Sequence, residues 1–206
     1  LYFLSSYFFK LDMSELLAEA AGLYFRTWAE AIRKADPNHL LLGSRFLMDI
    51  ETMPEVVRAC ARYMDVISLN WYDFQPDADI FDRLYQIASL EKPRPFLIGE
   101  YGFNTLGSGL LTAAVSVADE KQRGVGYRYY NEQAALNPNI VGTNYFQYID
   151  EPITGRWDDK ETSFNGLVSV VDIPYHELVE AAKETNEKIY PLHAGLAKPT
   201  DVPPIR

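Results

Sequence analysis

One carboxylate, Glu100, lies where a short apolar run ends, and this position is typical of a catalytic group. The run, residues 96–98, is followed by Gly99 and predicts a strand buried on both faces. A charge at the end of a buried strand is costly to desolvate, and in parallel α/β folds the carboxyl ends of the strands carry the chemistry. Gly99 and Gly102 would let a ligand approach the backbone closely. We therefore interpret Glu100 as a catalytic carboxylate; the alternatives are helix capping and loop anchoring.

Polar and aromatic side chains also end the other three predicted strands. Aromatic rings cover the C–H faces of a sugar, while amides and charged groups bind its hydroxyls. Core packing is the alternative for any single ring, but the agreement among the strand ends favours a carbohydrate site. The groups are Arg45 at the first strand, Asn70, Trp71 and Tyr72 at the second, Tyr101 beside Glu100 at the third, and Tyr145, Phe146, Gln147 and Tyr148 at the fourth.

Other kinds of catalytic site find little support in the sequence. The three histidines, His39, His176 and His193, are scattered and lack the spacing of metal ligands. No Gly-x-Ser-x-Gly segment occurs, so the nucleophile turn of a serine hydrolase is absent. The single cysteine, Cys60, cannot form an internal disulfide. We expect neither a metal ion nor a cofactor.

The composition narrows the possible partners. The chain of 206 residues is 48% hydrophobic, which is sufficient for a packed core. Its net charge of −10 argues against nucleic acid and anionic lipid, because both need a basic surface. No apolar run reaches the ~20 residues that span a bilayer. We therefore expect a carbohydrate partner, with no nucleic acid and no membrane.

Strand and helix patterns alternate along the chain, and this order positions the residues described above. Apolar runs predict four strands, and apolar residues at helical spacing predict one helix before them and one after each. Regular alternation predicts a parallel sheet with right-handed crossovers. The predicted strands are 39–45, 65–70, 95–100 and 140–148, the helices are 14–34 (capped by Ser14), 55–63, 79–88, 119–136 and 174–189, and a long loop covers 104–116.

The fold class predicted from this order is α/β, as the C-terminal half, strands five to eight, of a (β/α)8 barrel. Four strand–helix units fill most of the chain, whereas a complete barrel takes about 250 residues. We assign residues 1–195 to this half-barrel and residues 196–206 to a tail. A complete doubly wound sheet is the alternative, but it would carry a Gly-rich phosphate loop after its first strand, and none occurs.

The first residues, 1–9, are apolar and aromatic like a protein interior, which suggests that an upstream portion is missing from the sequence. Half a barrel leaves two sheet edges uncovered, and uncovered edges pair with other chains. We therefore expect residues 1–9 and the first strand to contact the N-terminal half of the barrel, or another copy of the chain in a homo-oligomer.

The motifs at the strand ends resemble those of the retaining β-glycosidases built on the (β/α)8 barrel, and most closely the agarase-type family of that group. The resemblance covers roughly residues 14–190. The agarase-type assignment rests mainly on residues 146–156. The matching motifs are Asp36-Pro37-Asn38-His39-Leu40, Gly43-Ser44-Arg45-Phe46, Asp65-Val66-Ile67-Ser68, Asn70-Trp71-Tyr72, Ile98-Gly99-Glu100-Tyr101, Tyr145-Phe146-Gln147-Tyr148, Asp150-Glu151-Pro152, Thr154-Gly155-Arg156, Asn165-Gly166-Leu167-Val168 and Pro174-Tyr175-His176-Glu177-Leu178-Val179.

This resemblance implies roles for individual residues. Glu100 becomes the nucleophile at the end of the seventh barrel strand, with Tyr72 hydrogen-bonded to its carboxylate. Phe146 takes the place of an aromatic platform beneath the sugar at the cleavage point. Asn70 and Arg45 are implied to bind substrate or to position the carboxylates. The further candidates for substrate binding are Trp71, Tyr101, Gln147, Tyr148, Arg156 and Trp157.

The second catalytic group of that family, a general acid/base Glu that follows an Asn, is missing from these residues. Retaining hydrolysis needs two carboxyl groups about 5–5.5 Å apart. The Asn-Glu pairs of this chain, Asn131-Glu132 and Asn186-Glu187, lie inside predicted helices. The acid/base is therefore expected upstream, and the chain alone should not turn over substrate.

Two functional interpretations follow. The favoured one is a glycoside hydrolase that cleaves β-glycosidic bonds of a polysaccharide or oligosaccharide, with agarose-like galactan preferred, by a retaining double displacement. A specificity like that of β-galactosidases, β-glucuronidases or β-mannanases is the alternative within this class. The competing interpretation is a non-catalytic carbohydrate-binding barrel. The resemblance also favours a secreted or periplasmic location.

Overall fold

The computed structural model describes residues 2–105 and 115–206, with side chains from residue 11 onward. Two compact units make up the chain: unit 1 is Leu1–Leu69 with Ala78–Leu97, and unit 2 is Asn70–Asp77 with Ile98–Arg206. The predicted contacts of residues 1–9 and most of the predicted loop 104–116 lie outside the described residues.

Each predicted helix is present. In the described part of the chain, none of the helices is long and apolar enough to cross a membrane. A short 3-10 helix, which the sequence patterns did not predict, covers Met48–Thr52. The α-helices are α1 (Tyr2–Ala35), α2 (Pro54–Tyr63), α3 (Ala78–Ser89), α4 (Glu120–Leu136) and α5 (His176–His193).

Helix α1 begins at Tyr2, so the prediction that Ser14 caps its start is wrong. Residues 2–13 contain neither proline nor glycine, and nothing in their sequence interrupts a helix. The Ser14 hydroxyl donates instead to the carboxylate of Glu55 on α2. Ser14 therefore contributes to helix packing within unit 1.

The central sheet is parallel, and its four strands follow the order β1-β2-β3-β6, which is their order along the chain. This confirms the predicted α/β class. A second sheet pairs β4 and β5 in parallel and was not predicted. The strands are β1 (Arg45–Phe46), β2 (Ile67–Asn70), β3 (Phe96–Tyr101), β4 (Phe103–Thr105), β5 (Val115–Val117) and β6 (Ile140–Tyr145).

Strand β1 is shorter than predicted because the chain before it is held by other hydrogen bonds. The Leu41 N–H donates to the Asp65 carboxylate (2.9 Å), and the Leu41 carbonyl accepts from the Asp65 N–H (2.9 Å). Gly43 then turns the chain with a φ of 72°, a conformation that favours glycine. Regular pairing begins only where Arg45 lies opposite Ser68.

Unit 1 has an apolar core with a buried thiol in it. The rings of Phe81 and Phe96 meet edge to face at 5.7 Å between centroids. Cys60 is fully buried, and burial raises the pKa of its thiol to about 12. The thiol therefore behaves as a small apolar side chain at neutral pH.

Unit 2 is organised around α4, whose glycines allow close packing. A Cβ at Gly124 would lie 2.7 Å from the Glu177 carbonyl oxygen on α5, and one at Gly126 would lie 2.9 Å from the Phe103 ring. The two glycines cost helix propensity, and the close contacts that they permit offset that cost. Aromatic side chains fill the interface, with Tyr101 stacked on Tyr130 at 4.0 Å between centroids.

The predicted tail, residues 196–206, is hydrogen-bonded to α4 in unit 2. Arg128 donates to the Val202 carbonyl (2.9 Å), and the Ile205 N–H donates to Gln122 (2.8 Å). The Arg206 guanidinium lies over the Phe74 ring, 4.3 Å from its centroid. The end of the chain thus reaches the segment that follows β2.

Candidate active site

The carboxyl ends of β2, β3 and β6 meet at one edge of the sheet, and main-chain hydrogen bonds fix their alignment. The Trp71 N–H donates to the Glu100 carbonyl (2.9 Å). The Phe146 N–H donates to the Tyr101 carbonyl (2.7 Å). The residues that follow these strands are thereby brought together within unit 2, at the end of a parallel sheet where active sites form.

Glu100 is held by two side-chain donors on one oxygen atom. The Asn70 amide Nδ2 donates to Glu100 Oε2 (2.7 Å), and the Tyr72 hydroxyl donates to the same atom (2.9 Å). Hydrogen bonds to an ionised carboxylate are short and strong, so they fix its orientation. Glu100 is only partly buried, and a ligand can therefore reach it.

The alternation of side chains along a strand explains which neighbours join Glu100. Successive residues of a strand point to opposite faces of the sheet. Asn70 and Tyr72 are two residues apart, and both reach Glu100. Trp71 between them and Tyr101 after Glu100 belong to the other face.

Trp71 and Tyr101 are core residues, and the structure contradicts their prediction as substrate-binding residues. Their exposed fractions are 3% and 1%. The Trp71 indole N–H donates to the Gln75 carbonyl (3.0 Å). Asn131 donates to the Tyr101 hydroxyl (2.5 Å), and desolvation raises the pKa of that hydroxyl well above its usual value. Neither ring presents a face to a ligand.

Asn70 carries a second feature that fits a positioning role. It is 7% exposed, and its Oδ1 is buried without a hydrogen-bond partner in the described part of the chain. An unsatisfied buried acceptor costs about 1–3 kcal/mol. The amide is thus retained at a cost, and its Nδ2 bond to Glu100 is the interaction that it supplies.

Phe146 and Gln147 follow β6 and are partly exposed, as candidates for sugar binding must be. The peptide bond between them is cis. The Phe146 carbonyl accepts from Asn165 Nδ2 (2.9 Å), and Gln147 Nε2 donates to Glu151 Oε1 (3.2 Å). Both residues remain candidates for substrate contact.

Two buried carboxylates, Asp150 and Glu151, hold the segment between β6 and α5. Asp150 accepts from the Gly166 N–H (2.7 Å) and from the Tyr175 hydroxyl (2.6 Å). Glu151 accepts from the Ser163 N–H (2.6 Å). Buried charges persist only where they are hydrogen-bonded or paired. The sequence motifs assigned no role to these residues, although two adjacent acidic residues shortly after the predicted fourth strand were a signal for one.

Arg156 lies among carboxylates that occupy its guanidinium. It pairs with Glu151 (3.2 Å), Asp159 (2.5 Å) and Glu161. The hydrogen bond to Asp159 is the main cause that raises the pKa of Arg156, and it lowers the pKa of Asp159. In this structure Arg156 organises its own loop, and its contact with substrate remains a prediction.

The other candidates lie at exposed positions. Arg45 belongs to β1 of unit 1. The Tyr148 hydroxyl donates to Asp172 (3.0 Å), and this bond raises the pKa of Tyr148. Trp157 is 88% exposed, so its ring is available to a ligand. Among residues 2–105 and 115–206, no group of three or more His, Cys, Asp or Glu could hold a metal ion.

Helix α4 supports the candidate site through residues that the sequence motifs did not indicate. The Tyr130 hydroxyl donates to the Trp71 carbonyl (2.7 Å) and so fixes the segment that carries Tyr72. Asn131 is buried in α4, where it accepts from Thr143 (2.5 Å). An amide on the buried face of a helix rich in tyrosine was the available signal, because a buried polar group needs partners.

Sequence comparison finds two curated β-agarases. "Beta-agarase B" of Vibrio sp. (strain JT0107) is 40% identical over 184 residues, which cover 89% of this chain and 19% of that protein. "Beta-agarase A" of the same organism is 40% identical over 182 residues, which cover 87% of this chain and 18% of that protein. This chain is related to the agarase-type glycoside hydrolases. It spans about a fifth of the length of these curated relatives. No family model matches the chain.

Solved structures agree with the agarase-type relationship. The crystal structure of an agarase is 40% identical with a TM-score of 0.80, over 88% of this chain and 27% of that one. An exo-β-agarase is 36% identical with a TM-score of 0.79, over 89% of this chain and 24% of that one. A β-galacturonidase from Eisenbergiella tayi, 20% identical with a TM-score of 0.56, shares the fold. These matches confirm the resemblance inferred from the strand-end motifs.

Proposed function

We propose that the protein to which this agarase-type chain belongs hydrolyses β-glycosidic bonds of an agarose-like galactan with retention of configuration, and that Glu100 is its nucleophile. The observation that carries the proposal is the pair of hydrogen bonds from Asn70 and Tyr72 to Glu100 Oε2 at the carboxyl end of β3. The similarity to β-agarases supports galactan as the substrate class.

In this mechanism the Glu100 carboxylate attacks the anomeric carbon. The bond from that carbon to the leaving sugar breaks as the leaving oxygen takes up a proton, and a glycosyl ester forms on Glu100. Water then attacks the same carbon and loses a proton to the group that protonated the leaving oxygen, the ester bond breaks and the carboxylate is restored. Asn70 and Tyr72 keep Glu100 in one orientation for both steps.

The group that delivers the proton lies outside this chain in the proposal. Asn131, which lies on α4, donates to the Tyr101 hydroxyl (2.5 Å). Glu132 beside it accepts from the N–H of Thr200 (3.1 Å). Glu187 is exposed on α5. Neither Asn-Glu pair of this chain is therefore proposed as the acid/base. We place that carboxyl group in another part of the full-length protein.

The sugar at the cleavage point would rest on Phe146, whose partly exposed ring follows β6. Gln147, Tyr148 and Trp157 extend the proposed contact surface along the same segment. Rings cover the C–H faces of sugars, and the Gln147 amide can bind hydroxyls. Arg45 and Arg156 remain proposed contacts as charged donors.

The decisive experiment measures hydrolysis of agarose by the full-length protein and its Glu100→Gln variant. Glutamine keeps the shape of the side chain and removes the attacking charge, so kcat should fall by about 10³-fold or more. Glu187→Gln is the matched control, because it makes the same change at an exposed position of the same unit, and we expect parental activity from it.

Retention of configuration at the anomeric carbon is tested by a second experiment. Azide should restore turnover to a Glu100→Gly variant and give the glycosyl azide of inverted configuration, because azide then replaces the nucleophile. Near-parental turnover by Glu100→Gln would refute the role of Glu100. A parent protein that binds agaro-oligosaccharides without cleaving them would favour the non-catalytic barrel instead.

A further inference from the structure

Asn165 makes hydrogen bonds to both polar groups of the peptide unit that follows Phe146, the proposed sugar platform. Its Nδ2 donates to the Phe146 carbonyl (2.9 Å), and its own carbonyl accepts from the Gln147 N–H (3.3 Å). Asn165 is completely buried, with an exposed fraction of 0%. One buried residue thus holds both sides of the Phe146–Gln147 peptide unit.

The main chain around Asn165 is itself fixed. Residues 165–168 run beside residues 147–150, with hydrogen bonds from the Leu167 N–H to the Gln147 carbonyl (3.0 Å) and from the Val168 N–H to the Tyr148 carbonyl (2.9 Å). A Cβ at Gly166 would lie 2.4 Å from the Val168 carbonyl oxygen, so no other residue fits there. Asn165 is therefore a rigid support.

The stability of the fold alone does not explain why residue 165 is an asparagine. Its Oδ1 is buried without a hydrogen-bond partner in the described part of the chain, and such an acceptor is unfavourable. An apolar side chain of similar size would avoid that cost. What the amide adds is the donor to the Phe146 carbonyl.

We propose that Asn165 is a positioning residue that sets the orientation of Phe146 and thereby the affinity of the site for the sugar at the cleavage point. The inference rests on the proposed function for its kinetic consequence only. Asn165 touches no reacting atom, and it acts through the backbone of Phe146. Its effect should appear in KM more than in kcat, because a platform binds the sugar in the ground state and the transition state alike.

Asn165→Leu in the full-length protein tests this inference, with two readouts. The first, which needs no substrate, is hydrogen exchange of the peptide that contains Gln147; its amide should exchange faster, because the Phe146 carbonyl has lost its donor. The second is agarose hydrolysis, for which kcat/KM should fall about tenfold. Thr185→Val is the control, because it also removes a buried donor, but at a position on α5 far along the chain from Phe146. The Thr185 hydroxyl donates to the Ala181 carbonyl.

A double-mutant cycle separates positioning from general destabilisation. If Asn165 acts through the ring of Phe146, Asn165→Leu should change kcat/KM by less than about twofold in a Phe146→Ala background. Equal effects of Asn165→Leu in both backgrounds would overturn the inference. Unchanged exchange at Gln147 would overturn it as well.

The exchange readout keeps this inference distinct from the proposed function. If the parent protein does not hydrolyse agarose, faster exchange at Gln147 alone still supports Asn165 as the support of Phe146, while the proposed function fails. If Asn165→Leu does not fold, Asn165→Asp provides the same test, because it keeps the shape and replaces the donor with an acceptor. Parental exchange at Gln147 in that variant at neutral pH would overturn the inference.

Discussion

At the scale of single residues, the site is defined by how one carboxylate is held. Asn70 and Tyr72 both donate to Glu100 Oε2, so the carboxylate has two independent restraints on one oxygen atom. In the proposed mechanism this preorganisation lets the Glu100 carboxylate meet the anomeric carbon without a search through rotamers. The contribution of each hydrogen bond to the rate should therefore be measurable by removing one donor at a time.

Tyr72→Phe removes one of these hydrogen bonds and leaves the ring. A hydrogen bond to an ionised group contributes about 1.5–3 kcal/mol, so under the proposed function kcat of the full-length protein should fall roughly ten- to a hundredfold. The assay is agarose hydrolysis, and Tyr190→Phe is the matched control, since it makes the same change on α5 at a side chain that is 81% exposed. An equal loss in both variants would argue against a specific role for Tyr72.

At the scale of elements, α4 and the segment between β6 and α5 form one support for the site. Arg123 on α4 is completely buried and donates to the carbonyls of Phe103 (2.9 Å) and Gly166 (2.6 Å). Its guanidinium lies 4.9 Å from the ring centroids of both Phe164 and Tyr175. A single buried cation thus connects three segments of unit 2.

Arg123→Met tests this connection. Removing the cation leaves the Gly166 carbonyl without its donor and the Glu120 carboxylate, 3.0 Å away, without its partner. The Phe103 carbonyl keeps the hydrogen bond from the Tyr145 hydroxyl (3.1 Å). A buried acceptor that loses its donor costs about 1–3 kcal/mol, so the melting temperature should fall by several degrees.

The measurement is calorimetry on the full-length protein. Arg83→Met removes an arginine that pairs with Glu51 (3.0 Å) at the surface of unit 1, and such pairs contribute about 1 kcal/mol or less. If both variants melt alike, Arg123 does not hold unit 2 together.

At the scale of the whole molecule, the proposed mechanism takes only one of its two carboxyl groups, Glu100, from this chain. It spans 19% and 18% of its two curated relatives. We expect the 206-residue chain alone to show no agarose hydrolysis above background, and the full-length protein to be active. The measurement is release of reducing ends at equal molar concentrations. Turnover by the chain alone would mean that a carboxyl group within it acts as the acid/base.

The sequence by itself determined the class of fold and the neighbourhood of the site. Apolar runs that end in polar residues define strands, and parallel strands place their carboxyl ends at one edge of a sheet. Glu100, Asn70 and Tyr72 could therefore be grouped before any contact was known. The motifs around them were specific enough to indicate the agarase-type relationship that the comparisons confirmed.

Only the tertiary structure decided which strand-end residues face the site. Trp71 and Tyr101 are as aromatic as Tyr72, but they lie on the opposite face, where α4 buries them. Composition cannot separate the two faces, because the side chains alternate and the register of each strand is set by its neighbours. The support given by Asn165 and Arg123 was equally hidden, since it joins residues distant in the chain through hydrogen bonds that form only when unit 2 is packed.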